Sequence, residues 1–342
     1  MVEVIKLGNR TLVVFGRRID VFEGGVLKVR CWYYLPSSWK YYRPIIIEEQ
    51  SGRHLTGYQV LIELRVSNFD FDHATDDGRD IRFTPVGKTP EDGELYPYWI
   101  EEWDAVNKKA KIWVKVPEIP ANGRTTIWMY YGNPNAEPMS SGEETFEIFD
   151  NFDDEDISDW NQEVLRGSGS WNATGGTLNP TGYGEPVHIR CYKFYSGKNV
   201  AVKYRVKFDS YTDDESAQSI LYVDDNNSYA YRITGSGVYG HGLKLQFNRT
   251  INGEFTEEDI GSWAGDNNWH TMEWRRFDGE FEFYFDDSLV ATRSETDIGN
   301  LTRFIFHAHA YKNDLNHHYD DLIVRKYTKP EPSVYVGEER II

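Results

Sequence analysis

The segment FIFHAHAYKNDLNHHYDD, residues 304–321, concentrates groups that could do chemistry. If it is an extended strand, Phe304, Phe306, Ala308 and Ala310 point one way, while Ile305, His307, His309 and Tyr311 point the other. The first set suits a core. The second places His307 and His309 side by side on the opposite face, where with Tyr311 they can contact a sugar, or with a third ligand hold a transition metal; plain hydrogen bonding on a sheet surface is the alternative. A second chemical stretch, ETFEIFDNFDDEDISDW over residues 144–160, mixes aromatic residues with carboxylates that suit either a solvated loop or a hard cation. Trp263 and Trp269, in GSWAGDNNWH, lie among turn-forming residues and are expected to be exposed enough to stack on a sugar ring. A Gly-x-Ser-x-Gly elbow and a His-Glu-x-x-His pair are both absent.

The elements that must position these groups are strands. YQVLIEL, KIWVKVP, TTIWMYYG, VAVKYRVKF, LKLQFN and FEFYFDD alternate apolar with polar residues and are rich in Val, Ile, Tyr, Phe and Trp. Asp-Gly, Asn-Gly and Asn-Pro pairs fall between them, where a turn needs positive φ or a fixed bend. The expected fold class is all-β. A chain of 342 residues can bury more than one core without disulfides or metal. Its net charge of −18, with basic residues scattered, repels phosphate backbones, so no nucleic-acid partner is expected. Cys31 and Cys191 are far apart and read as free thiols. No apolar run is long enough for a membrane span, and MVEVI at the start lacks the basic and apolar regions of a signal peptide. The expectation is that a leader has been removed or that the chain reaches its destination by another route.

Loops divide the chain. Residues 1–37 carry short alternating strands, too few to bury a core alone, and read as an N-terminal β arm that adds to the next domain's sheet or to a neighbouring subunit, giving a homo-oligomer. Residues 38–140 read as a β-sandwich domain closed by YYGNPNAEPMSSGEE, whose Pro, Asn, Ser and Gly content marks a linker. Residues 141–342 form the last domain.

The region 41–135, with YYRPIIIEEQSGRHLTGYQVLIEL, SNFDF, DGRDIRF, YPYWIEEWD and AKIWVKVPEIPANGRTTIWMYYGNP, resembles an uncharacterised domain family of archaeal and bacterial surface proteins. The remainder, opening FDNFDDEDISDW, continuing NWHTMEWRR and closing HHYDDLIVRKYTKPEPSVYVGEE, is similar to a concanavalin A-like or laminin G-like sandwich, a jelly roll. Two resemblances thus imply two β-sandwiches. In the concanavalin A-like fold the first and last strands pair, which implies that Asp153 or Asp154 meets Asp320 or Asp321 and that the set could hold a structural Ca2+ ion. Laminarinase-type glycosidases on that sandwich carry Glu-x-Asp-x-x-Glu on one strand, and this sequence lacks it.

These readings converge on a non-catalytic recognition or attachment protein at a cell or virion surface, outside the cell, that binds carbohydrate or a glycosylated surface through the lectin-like sandwich. Two alternatives stand beside it: a structural subunit of an archaeal virion, filament or envelope, and a glycan-active enzyme.

Overall fold

The computed structural model describes residues 2–7, 9–15, 18–32, 38–238, 242–312 and 314–342. Strands β1 (Val2–Leu7), β2 (Arg10–Phe15), β3 (Arg18–Glu23) and β4 (Val26–Trp32) form a four-stranded antiparallel meander. The β3–β4 turn holds Gly24 at φ 58° and Gly25 at φ 79°, the two positive values a tight hairpin loop requires. Of the two partners the sequence suggested for this arm, the next domain's sheet or a neighbouring subunit, the first is not used: among the described residues its strands pair only with one another. Alternating apolar residues specify a strand but not its partner.

The smaller sandwich contains β5 (Tyr41–Glu48), β6 (Leu55–Arg65), β7 (Arg82–Pro85), β8 (Tyr98–Asp104), β9 (Lys109–Ile119) and β10 (Arg124–Tyr131). One layer is ordered β6-β9-β8, and the other contains β5-β10-β7. Period-two alternation sends Val60, Ile62, Leu64, Ile112 and Val114 inward against Ile45, Ile47, Ile127 and Met129.

After a four-residue helix, α1 (Gly142–Thr145), the larger sandwich begins. Its strands are β11 (Ile148–Asp150), β12 (Asn161–Thr174), β13 (Thr177–Gly197), β14 (Val200–Phe208), β15 (Glu215–Asp224), β16 (Asn227–Thr234), β17 (Lys244–Ile251), β18 (Glu254–Ser262), β19 (His270–Phe277), β20 (Glu280–Phe285), β21 (Ser288–Ser294), β22 (Leu301–Ala310) and β23 (His317–Lys326). One ladder runs β18-β17-β16-β15-β22-β13-β23-β14-β19-β20-β21, with β12 on β13 and β11 on β23. The two ends of this ladder face each other. Phe247 of β17 meets Phe283 of β20 with ring centroids 4.8 Å apart, and Tyr204 of β14 meets Phe306 of β22 at 5.2 Å. The result is an all-β jelly-roll sandwich with an aromatic core.

The chain then returns. Strands β24 (Ser333–Val336) and β25 (Arg340–Ile341) pair with β5, so the last residues complete a sheet of the smaller sandwich. A division into 38–140 and 141–342 therefore does not separate the two sheets systems at the C-terminal end. The 136–145 linker is also held: Ser141 N donates to Tyr98 O at 2.9 Å, and Gly142 lies so close under the Phe149 ring that a Cβ there would clash with it. Trp113, Phe146 and Ile323 form an apolar cluster joining the sandwiches. Turn-rich composition marked the connection correctly as irregular, but not these bonds. No helix of the described residues is long and apolar enough to cross a membrane.

Candidate ligand-binding site

Residues opposite one another in an antiparallel sheet share a face, so the register of the sheet from β12 to β18 fixes which side chains meet. One row across the outer face reads Glu163, Arg190, His307, Gln218, Arg232, Gln246 and Asp259. The neighbouring row brings Arg166, His188, His309 and Ser216 together. On the other side lie Tyr192, Ile305, Ile220, Ala230 and Asn248, then Phe194, Arg303, Tyr222 and Ser228. A cleft of about 320 Å3 overlies this surface, with His188, Arg190, Gln218, Arg232, Asn248 and His307 among its walls. A second hollow of about 620 Å3 extends from Arg232 and His309 to Tyr311 and Lys312.

The polar groups here are buried yet incompletely bonded. His307, Arg232 and Asn248 are 8%, 6% and 5% exposed. Among the described residues, His307 Nε2, Arg232 Nε, Arg190 Nε, Asn248 Oδ1 and Ser216 Oγ have no hydrogen-bond partner. A buried polar group without a partner loses its hydration without compensation, so folding alone gives no reason to gather such groups in one cleft. Arg232 is half satisfied: one Nη donates to Gln246 Oε1 at 3.1 Å and to Glu257 Oε2 at 2.8 Å. Gln246 Nε2 in turn donates to Asp259 Oδ1 at 2.8 Å.

Burial favours the neutral form of the three imidazoles. Burial, then the nearby Arg190, holds His307 well below the usual imidazole range. Burial and His188 bring His309 down to about 3. Burial, then Arg166, lowers His188. A neutral imidazole offers one donor and one acceptor, the pair a hydroxyl can engage. Beside them is an aromatic shelf. The Arg303 guanidinium lies 4.7 Å from the Tyr192 ring centroid and 5.1 Å from that of Tyr222, and Phe194 at its rim is 69% exposed.

The residues singled out in the sequence distribute unevenly. His307, His309 and Tyr311 border this cleft system, and Phe304, Phe306, Ala308 and Ala310 face the core. The third histidine, His188, comes from β13 and stacks on His309 with centroids 4.1 Å apart and planes 20° apart. Stacked rings direct their nitrogens along the planes rather than toward a common point. Among the described residues no group of three or more His, Cys, Asp or Glu is arranged to hold a metal ion.

Trp263, expected at the surface, is buried: its ring stacks 5.7 Å from Phe208 and its Nε1 donates to Thr234 O at 3.0 Å. Glycine and asparagine neighbours indicated a turn, but the turn directs this indole into the core. Trp269 is half-buried under the Arg205 guanidinium at 4.7 Å, at the start of β19 in the opposite layer, so it does not join His307 and His309.

Of the four carboxylates, Asp321 and Asp153 act on Asp320, while Asp154 lies apart. Arg205 Nη1 donates to Asp320 Oδ2 at 3.3 Å and to Asp321 Oδ2 at 3.1 Å, supplying a cation from the chain itself. Burial, then Asp321, pushes Asp320 up to about 6, with a smaller contribution from Asp153. Asp154 accepts from Asp156 N at 3.0 Å and lines a separate hollow with Asp150 and Lys193. Among the described residues these carboxylates form no group of three or more arranged to hold a metal ion.

Sequence reasoning missed His188, Arg190, Arg232 and Asn248. VHIRCY, residues 187–192, does carry a period-two signal, with Val187, Ile189 and Cys191 in the core and His188, Arg190 and Tyr192 outside. The missing information was that β13 pairs with β22.

Residues 77–164 match the family described as Domain of unknown function (DUF2341). No curated protein matches the chain. Among solved structures, the carbohydrate-binding module CBM66 from Bacillus subtilis is similar at 13% identity and a TM-score of 0.37, over 50% of this chain and 98% of the module. The Bacillus licheniformis β-glucanase is similar at 12% identity and a TM-score of 0.41, over 53% of this chain and 98% of the enzyme. An endo-β-1,3-glucanase from Pyrococcus furiosus is similar at 9% identity and a TM-score of 0.43, over 54% of this chain and 95% of its own.

Proposed function

We propose that this protein binds carbohydrate, without cleaving it, in the cleft between β13 and β18. The observation that carries the reading is the cluster of buried, unpartnered donors and acceptors on His307, Asn248, Arg190 and Arg232 beside the Tyr192 and Tyr222 rings. Sugars match both parts, because their hydroxyls donate and accept while their C–H faces stack on aromatic rings. Recognition without turnover is supported by the engagement of the cleft's edge carboxylates: Glu257 pairs with Arg232, and Asp259 with Gln246 and Lys244. A glycosidase needs one carboxyl free to give a proton and a second free to attack or to activate water.

The setting we propose is a cell or particle surface, where such a face meets glycans; surface labelling of producing cells checks it. For the binding itself, the full chain is run in native gels cast with individual polysaccharides, followed by titration calorimetry and an assay for new reducing ends. At least one polysaccharide should retard the protein without yielding reducing ends, and His307→Ala should abolish the retardation. If His307→Ala and Asn248→Ala both bind as wild type does, the cleft is not the site. Released reducing ends overturn the non-catalytic part.

A further inference from the structure

We infer that the ligand of this cleft is negatively charged: a glycan carrying carboxylates or sulfate esters. This rests on the carbohydrate reading above and narrows it. The chain bears 55 acidic against 37 basic residues, a formal charge of −18, so most of its arginines have acids nearby. Arg205, Arg249, Arg275, Arg293 and Arg325, for example, all lie in salt bridges. Within the cleft, Arg232 and Arg249 follow this pattern, pairing with Glu257 and Glu258, but Arg190 does not. Arg166, Arg190 and Arg303 occupy adjacent strands on the cleft's face, and no carboxylate of the described residues is within ion-pair distance of any of them.

Arg190 is the centre of the argument. Its Nε is buried and without a partner, in the same row as the unpartnered His307 Nε2 and Arg232 Nε. Burial pushes its guanidinium below the usual value, and Glu163 and Asp225, which act on it from a distance without forming an ion pair, do not offset that. Arginine's fork is matched to a planar carboxylate or to two oxygens of a sulfate, and the Arg303 guanidinium lies 4.7 Å and 5.1 Å from the Tyr192 and Tyr222 ring centroids on the same face. The imidazoles agree. Their protonation is opposed by Arg166, Arg190 and Arg232, with no carboxylate among the groups acting on them. An anion would relieve this unbalanced potential, whereas a neutral sugar would leave it.

The test uses the full chain and polymers matched except in charge. Polygalacturonate is compared with its fully methyl-esterified form, and a sulfated galactan with its desulfated backbone, by affinity electrophoresis and calorimetry at low and high salt. The inference expects a charged member to bind and its neutral counterpart not to, with affinity falling as salt rises. Which pair responds identifies the carboxylate or the sulfate as the source. Arg190→Gln and Arg303→Gln should each weaken that binding by roughly 10- to 100-fold, the worth of a hydrogen bond to a charged group, with no loss of melting temperature. Equal binding of charged and neutral members overturns the charge inference and leaves carbohydrate recognition intact. Binding to neither pair, with binding to an uncharged glucan or fructan, has the same meaning. Failure to bind any polysaccharide overturns both.

Discussion

The two outer faces of the larger sandwich use the same residue types and finish in opposite electrostatic states. On the β14–β19–β20 face, which meets the smaller sandwich across a hollow of about 460 Å3, most charges have partners. Lys203 Nζ is 2.5 Å from Glu101, which also accepts from Trp113 Nε1 at 2.7 Å. Arg325 donates to Glu331 at 2.7 Å and stacks 4.6 Å from the Trp113 ring, while Lys329 reaches Glu282 at 2.9 Å. On the β13–β18 face, Arg190, His307 and Asn248 retain unpartnered atoms. Folding accounts for the first face: bringing two sandwiches together desolvates charges, and each must then be matched. It does not account for the second. A set of desolvated groups unmatched among the described residues is what the proposed ligand would engage.

The comparison breaks most easily where the pairing is complete. Arg325→Met removes a buried guanidinium from between Glu331 and Trp113, and should cost about 3 kcal/mol in urea denaturation while leaving glycan binding unchanged. Adding Glu331→Leu should restore most of that loss, because an apolar pair replaces a charged one with little net change. A single variant as stable as wild type would show that the interface does not depend on this pairing.

Acid should act on the open face instead. His188, His307 and His309 are held neutral in the folded chain, and the unfolded chain takes up protons near the ordinary imidazole value of about 6.5. Because these folded values are depressed, their contribution is fully present above that pH and lost as pH falls toward the folded value, about 3 for His309. Between pH 6.5 and 4.5 we expect His309 alone to account for a loss of about 2 kcal/mol of stability in the free protein, with His188 and His307 adding to it, and a correspondingly smaller total loss in His309→Asn. Parallel curves for the two proteins would mean that His309 is not held neutral by the fold.

This contrast sets the limit of what could be read from sequence. Alternation alone gave the strands, and it gave the correct side for each residue from Phe304 to Ala310. It could do so because facing is decided within one strand by a two-residue period. Whether a polar residue has a partner is decided between strands. His188 and His309 are more than a hundred positions apart and meet only through the β13–β22 register. Arg205 and the Asp320–Asp321 pair are similarly distant, so the acids were visible and their counterion was not. The return of 333–336 to β5 belongs to the same class, since nothing local in SVYV specifies which edge it will join.

Substituting an apolar residue on the open face should have the opposite sign from Arg325→Met. Asn248 is 5% exposed, its Oδ1 has no partner, and its neighbours across the sheet include Ala230, which packs with Ile220 and Ile305. Asn248→Leu should therefore raise stability by about 1 kcal/mol while abolishing glycan binding, because an unmet polar group is exchanged for apolar contact. A destabilised variant would indicate that Oδ1 is satisfied in solution by an ordered water, and the open face would then be less open than it looks.

The smallest effect is expected at Asp320, which is intermediate between the two faces: it has a cation, but shares it. Arg205 serves both Asp320 and Asp321, and the excess negative charge together with burial leaves Asp320 raised to about 6. A carboxyl raised on folding is protonated in both states at low pH and imposes no penalty there. As pH rises from about 4, where the unfolded chain ionises it, to about 6, where the folded chain does, stability falls, and it levels off above that window. Asp320→Asn should accordingly gain at most about 1 kcal/mol at pH 7.5 and nothing near pH 4. Because Arg205 already supplies the positive charge, millimolar calcium should leave the melting temperature of the wild type almost unmoved. A calcium-dependent rise of several degrees that vanishes in Asp320→Asn would show that the ion displaces Arg205, and this cluster would then belong with the incomplete face rather than the matched one.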